Sequence, residues 1–423
     1  MGSRSTGTGG EPRPAGHVEG SVTSWLAVLS LMAAGIIGAV QIGKGSAALP
    51  VLRDEFGLST SAAAWFLSVV SAMGAAAGAL LGWLGQGLGF RRQVQLGLVA
   101  IVLANLAGAV APSAPWLLGA RVTEGLGFIL VILAAPGLLP GLSAQRHRRL
   151  VVGGWGIYMP VGSGLAVLLV PTAIGGLGWS GVCLVDAGCA ALVLLAVVRW
   201  VPPSPPRRLP AAAGLTRALR APGVLCLSVL FGLYAGQYLA VVGLLPTTLV
   251  DTGELSLAAA GTVTAVVFLV NAPSNMLGAV LLHRGVSRRV LFLAGGACMA
   301  ATVWPLFDPG LPLAVRIGAA VTFSACSGVV PAAAFSGVAA MSAGTPSAGA
   351  SVGLLMQGSS IGQLVGPPLV VTVGAAAGGW AAQPAVLAGF AGLLMVAGLA
   401  YGRLERPVGP VPAGSAPAAV QGL

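Results

Sequence analysis

Charge is what this sequence lacks: Asp, Glu, Lys and Arg make up 7% of its 423 residues, against about 25% in ordinary soluble proteins. A chain so poor in charge cannot cover a water-facing surface, which excludes a soluble globular domain. Lysine is reduced to Lys44 alone. No Gly-rich loop ending in Lys-Ser or Lys-Thr occurs, so ATP-driven pumping by this chain is excluded. Histidine is limited to His17, His147 and His283, none in the middle of an apolar run, and there is no His-Glu-x-x-His pattern. Cys183, Cys189, Cys226, Cys298 and Cys326 lie singly in apolar segments without a Cys-x-x-Cys pair, as small buried hydrophobes do. At most two acids fall inside apolar runs. A membrane-embedded hydrolase or metalloenzyme lacks its raw materials, so the sequence implies no enzyme, no metal and no bound cofactor.

What is abundant is apolar surface, at 56% of residues. The solvent for such a chain is the lipid bilayer. The 65 glycines and 29 prolines sit inside long apolar runs, where neighbouring membrane helices satisfy freed backbone groups. A spanning helix needs roughly 20 apolar residues. Runs of that length fall at about 24–44, 61–84, 93–112, 115–140, 150–176 and 180–201, and again at 222–249, 257–283, 288–307, 311–341, 347–376 and 383–403. The first run is too long for a signal-peptide core and reads as a retained helix. Residues 1–23 and 405–423 read as disordered tails, and 202–221 as a Pro- and Arg-rich linker between six-run halves at 24–201 and 222–404.

The net charge of +11 raises the question of nucleic acid. The basic residues come in small groups between apolar runs, not on one solvated face, so the sequence implies a lipid partner and no nucleic acid. Their placement encodes orientation. With the N-terminus in the cytoplasm, the inner segments hold 17 of 20 arginines, and the opposite loops hold Lys44 and Arg53 with most of the acids. The expectation is a multi-pass protein of the cytoplasmic membrane with both termini inside.

A repeat organises the runs. At a shift of 195–197 residues, Leu49-Pro50 falls on Leu245-Pro246, Leu58-Ser59 on Leu255-Ser256, Arg91-Arg92 on Arg288-Arg289, and Arg121 on Arg316. Gly156, Met159 and Pro171 fall on Gly353, Met356 and Pro368. The expected fold is therefore an all-α polytopic membrane protein of twelve helices in two pseudo-symmetric halves around a central site.

The loop after the second run, Gly82-Trp83-Leu84-Gly85-Gln86-Gly87-Leu88-Gly89-Phe90-Arg91-Arg92, resembles the Gly-x-Leu-x-Asp-x-x-Gly-Arg-Arg motif of the major facilitator superfamily. Gly82, Leu84, Gly89, Arg91 and Arg92 look like its counterparts, Arg92 standing one place beyond the last Arg; Gln86 stands at the Asp position and Phe90 at the first Arg. The resemblance covers about 24–404. It implies a gating latch in this loop, weakened by the loss of the Asp. The bland alternative is a tight Gly turn whose arginines only set topology. Arg121 to Gly125 looks like the family's Arg-x-x-x-Gly signature. Gly156, Pro160 and Gly164 fit the antiporter motif of its efflux branch, and physically they would form a hinge or a seal.

A charge in mid-membrane costs about 2.5–3.5 kcal/mol on insertion scales, so Arg121 should face a partner or a cavity. Arg121 and Glu124 share a helix face. Either they neutralise each other, or Glu124 carries the proton. Asp186, nearer the outer side of a peripheral run, ranks below Glu124. Arg316 either counterparts Arg121 or snorkels to the interface. Gln41, Tyr158, Tyr234, Gln237, Tyr238, Asn271, Asn275 and Gln357 are candidates for a substrate path, with an interhelical hydrogen bond as the bland reading of each. The resemblance implies a monomeric secondary transporter of a small molecule, an antiporter driving efflux of a drug or metabolite from the proton gradient. Uptake of a small anion on Arg121 is the alternative. A non-transporting receptor or scaffold is the other.

Overall fold

The computed structural model describes residues 22–203, 212–252, 255–342, 345, 347–376 and 382–404. The tails expected at either end lie outside the described residues, except Val22 and Thr23. Thr23 is held, not loose: its hydroxyl lies 2.9 Å from His147 Nδ1 and accepts from the Ala144 N–H.

Among the described residues, eleven helices are long and apolar enough to cross a membrane. We number the crossings α1 (Trp25–Glu55), α2 (Ser61–Leu88), α3 (Phe90–Ala109) and α4 (Ala114–Leu138). The next helix, Tyr158–Trp200, breaks at Gly178, whose φ of 65° and ψ of 179° are not helical. Its 43 residues would run about 65 Å, twice the roughly 30 Å of a bilayer core. It is two crossings, α5 (158–177) and α6 (179–200). The rest are α7 (Pro222–Asp251), α8 (Leu257–His283), α9 (Arg288–Phe307), α10 (Leu313–Ser342), α11 (Ala348–Ala376) and α12 (Gln383–Leu404). The described residues thus make twelve crossings in two pseudo-symmetric halves.

Local chemistry sets the ends. Ser59 and Ser256, paired by the repeat, each cap the helix that follows by accepting a backbone N–H, from Ala62 and Ala259. Such caps satisfy one of the orphan donors at a helix start. Gly89, at φ 85°, makes the left-handed corner between α2 and α3, a conformation that suits glycine.

One expectation is corrected. The first run does not stop at 44; α1 continues to Glu55 through Pro50, because Ala47, Ala48, Leu49 and Leu52 are buried in the bundle. Lys44 therefore sits inside the membrane helix, not in a loop. The Pro- and Arg-rich linker is described at 202–203 and 212–221. It contains a short helix, Ala212–Arg220, whose Leu215 packs on Ala79, Val224 and Leu354, beneath α2, α7 and α11.

Within the first half, α1 packs on α4, α5 and α6, and α3 packs on α4 and on the α5–α6 helix. Within the second, α7 packs on α11 and α12, and α9 on α10 and α12. The halves meet where α2 packs on α11 and where α5 packs on α8. Glycine decides how closely. A Cβ on Gly353 of α11 would lie 2.5 Å from the Gly78 carbonyl oxygen of α2, and within the second half a Cβ on Gly362 of α11 would lie 1.8 Å from the Gly232 carbonyl oxygen of α7, so those backbones touch directly.

Candidate functional site

The first half encloses a buried ionic cluster. Lys44 Nζ lies 2.9 Å from Glu124 Oε1 and 2.9 Å from Asp186 Oδ2. It also donates to Gln41 Oε1 at 2.8 Å and to Asn105 Oδ1 at 2.5 Å. Arg121 Nη1 donates to the other Glu124 oxygen and, at 2.7 Å, to the Gln41 carbonyl. Gln41 Nε2 returns a bond to Asp186 at 2.9 Å. All six side chains are buried. Two aromatic rings close the cluster: Phe66, 5.1 Å from the Arg121 guanidinium carbon, and Trp179, 5.7 Å from Nζ. Gly45 makes room for the guanidinium, since a Cβ there would stand 2.5 Å from Arg121 Nη2.

The elements bring these groups together in a definite way. Gln41 and Lys44, three apart, present one face of α1. Arg121 and Glu124 do the same on α4. Asn105 comes from α3 and Asp186 from α6. Two cations face two carboxylates, so the cluster is neutral with all four ionised. A buried charge persists only when paired and hydrogen-bonded, and each of the four has that pairing.

The two readings of Arg121 and Glu124 therefore meet: they are paired, and Glu124 holds a second cation as well. Asp186, ranked below Glu124 in the sequence, lies in the same cluster. It shares Lys44 with Glu124 across α1, α4 and α6. Lys44 and Asn105 were not candidates at all. Asn105, a polar residue within an apolar run, was the visible signal.

The other candidates lie elsewhere. On α7, Tyr234 and Tyr238 stack at 5.6 Å between Phe231, 5.8 Å from Tyr234, and Phe323 of α10, 6.2 Å from Tyr238. Tyr238 and Ser324 share a hydrogen bond of 3.1 Å. Asn271 donates to the Ser324 carbonyl and to Ser327, and Asn275 bonds back to Asn271. These form a polar seam between α8 and α10. Gln237 is wholly buried, and neither its amide nitrogen nor its oxygen has a partner among the described residues. Tyr158 stands away from the cluster at the start of α5, its ring 4.7 Å from Trp155. Arg316 does not snorkel. It is buried, its Nε donating to the Leu306 carbonyl at 3.1 Å.

Gln357 binds the other half of the chain. Its Nε2 donates to the Ala75 carbonyl at 2.9 Å, and its Oε1 accepts the Ala79 N–H at 3.2 Å. Nearer the termini, a Cβ on Gly82 of α2 would lie 2.5 Å from the Gly349 carbonyl of α11, and the Gln86 amide lies over Gly349. Gln86, at the motif's Asp position, thus meets α11 as a neutral group. Leu84 is half-buried in this stretch and Arg92 is exposed. Arg91 donates to the Val198 carbonyl at 2.7 Å.

The hinge expected at Gly156, Pro160 and Gly164 is placed differently. Pro160 lies in the first turn of α5, where its missing N–H breaks no interior bond. The irregularity precedes it, in a 3-10 turn at Trp155–Ile157 that contains Gly156. Gly164 faces α8, where a Cβ would meet Leu269 at 3.1 Å.

The chain is similar to known proteins. A sequence model described as Major Facilitator Superfamily matches residues 23–367. The methyl viologen resistance protein SmvA of Salmonella typhimurium is 27% identical over 188 residues, covering 44% of this chain and 37% of that protein. The arabinose-proton symporter of Escherichia coli is 32% identical over 174 residues, covering 41% of this chain and 36% of the symporter. The multidrug efflux pump LfrA of Mycolicibacterium smegmatis is 27% identical over 182 residues, covering 43% and 36%. These matches span less than two fifths of each relative. Among solved structures, the proton:xylose symporter XylE bound to 6-bromo-6-deoxy-D-glucose superposes with a TM-score of 0.71 at 16% identity, over 90% of this chain and 95% of that one.

Proposed function

The chain belongs to the Major Facilitator Superfamily, and from that premise we propose that it is a proton-coupled exporter of a drug or metabolite, with Lys44, Arg121, Glu124 and Asp186 as its coupling network. It is a multi-pass membrane transporter and not an enzyme.

The observation that carries the coupling reading is one buried ammonium shared by two carboxylates from different helices. Such an arrangement is costly to bury and gives a proton somewhere to act. A proton on Glu124 removes one of the two negative charges. Lys44 then rests on Asp186, Arg121 loses its carboxylate, and the cluster gains a net positive charge in a low-dielectric interior. The tie between α1 and α4 through Glu124 is thereby weakened, and proton release restores it. Two arrangements of packed helices, biased by one proton, are what alternating access requires.

Export is favoured over anion uptake because the guanidinium that an anion would need is already balanced by Glu124. The drug-resistance relatives point the same way, while the symporter relatives name sugars. The arginine distribution supports both termini in the cytoplasm in this reading. The substrate path in this reading runs past Gln237 and the α7 aromatics.

The test is accumulation and resistance in a bacterial strain with and without the protein, across a panel including methyl viologen, arabinose and galactose. Lower accumulation of at least one toxic compound is expected. Raised accumulation of a sugar, with no change in any toxic compound, would replace export by uptake.

A further inference from the structure

Lys44 Nζ has four oxygens around it, from four different helices: Gln41 Oε1 on α1, Asn105 Oδ1 on α3, Glu124 Oε1 on α4 and Asp186 Oδ2 on α6. They lie at 2.8, 2.5, 2.9 and 2.9 Å. An ammonium has three N–H groups, so the oxygens outnumber the donors. The cage fits a compact positive charge better than a set of three directed hydrogen bonds. Two carboxylates and two carboxamide oxygens are also the donor set that hard cations select. The Trp179 ring on another side, 5.7 Å away, is likewise favourable to a cation.

The charge balance completes the case. Lys44 and Arg121 offset Glu124 and Asp186. Without the lysine the same buried cavity carries one uncompensated negative charge and four inward oxygens.

We infer that Lys44 is a tethered cation, filling a four-oxygen site that would otherwise bind a free alkali-metal ion, and that it thereby closes the transporter to sodium and potassium as coupling ions. The consequence for coupling rests on the transport reading above; the cation site itself does not, because it is tested by binding alone.

The experiment uses purified full-length protein in detergent, melted in sodium, lithium, potassium or choline chloride at equal ionic strength, with tryptophan fluorescence as the signal. Wild type should melt at the same temperature in all four salts. Lys44→Ala should show a saturable rise in melting temperature with an alkali cation over choline. Lys44→Ala/Asp186→Asn, neutral again, should lose that response. A Lys44→Ala protein that is recovered folded in sodium and aggregates in choline supports the inference equally. It is overturned if folded Lys44→Ala melts identically in every salt, or if wild type responds as strongly as the variant. Aggregation of Lys44→Ala in every salt while the double variant stays folded also overturns it, since a free ion then cannot replace the lysine. None of these outcomes depends on which substrate the transporter carries.

Discussion

Replacing Gln357 by Leu should free the two halves of the bundle from one another at mid-membrane. The carboxamide reaches from α11 to the Ala75 carbonyl and the Ala79 N–H, two groups that a helical turn pairs with each other. An interhelical hydrogen bond within a membrane averages about 0.6 kcal/mol by double-mutant cycles, so the two together hold about 1.2 kcal/mol. At 1.4 kcal/mol per factor of ten, that is roughly an eightfold shift between closed and separated α2–α11 arrangements. The shift appears only if the bonds exist in one state and break in the other. Leucine keeps the volume and removes both bonds, while the glycine contacts of Gly78 and Gly82 with Gly353 and Gly349 are left alone. Spin labels at Leu88 and Arg284, both exposed near the termini side of opposite halves, would report the separation. The longer-distance population should grow several-fold in Gln357→Leu. An unchanged distance distribution in a folded variant would refute the reasoning and leave Gln357 as packing glue.

Other outcomes follow from the same geometry. Gln237→Leu removes a buried amide with no partner, whose desolvation costs about 1–3 kcal/mol, so the melting temperature should rise while transport falls; a loss of both stability and transport would show that the amide is satisfied. Gly362→Ala forces a Cβ into the Gly232 carbonyl and should abolish folded expression, whereas Gly389→Ala, with nothing within 4 Å, should be silent in size-exclusion profiles; similar behaviour of the two would contradict the α7–α11 contact. Arg53 meets Asp251 through two bonds of 2.8 and 2.9 Å at the end of the bundle opposite the termini. The pair is partly exposed and worth about 0–1 kcal/mol, so Arg53→Ala should leave melting unchanged and raise cysteine labelling at positions along the outer α1–α7 seam, and no gain in labelling would remove it as a seal.

Much of the fold was readable from hydropathy, because a bilayer imposes one length on every crossing. The runs at 257–283 and 288–307 coincide with α8 and α9. Where the reading failed, the cause was a charge whose partners are far along the chain. Lys44 ended the first run in the sequence because an unpaired ammonium ends an apolar stretch. Its partners Asn105, Glu124 and Asp186 lie 61, 80 and 142 residues away, and only their convergence makes the lysine tolerable inside α1. The contact of Asp186 was hidden for the same reason: α6 was expected at the periphery, but this side chain points inward to Lys44 of α1. Arg121 and Glu124, three residues apart, were legible because their pairing is local. The break at Gly178 was placed in the sequence as a gap between two runs, and the glycine's positive φ explains why no polar loop was needed there. Gln357 could not be separated from a substrate ligand, since only the position of α2 shows that its amide is already engaged.

The central claim is that protons act on the Lys44 cluster to drive transport. Its most direct test is flux of an identified substrate in proteoliposomes under an imposed pH gradient, compared between wild type and Glu124→Gln. Wild-type flux should follow the gradient, and Glu124→Gln should retain binding and gradient-free exchange while losing gradient-driven accumulation. Accumulation in Glu124→Gln equal to wild type at the same gradient would contradict it.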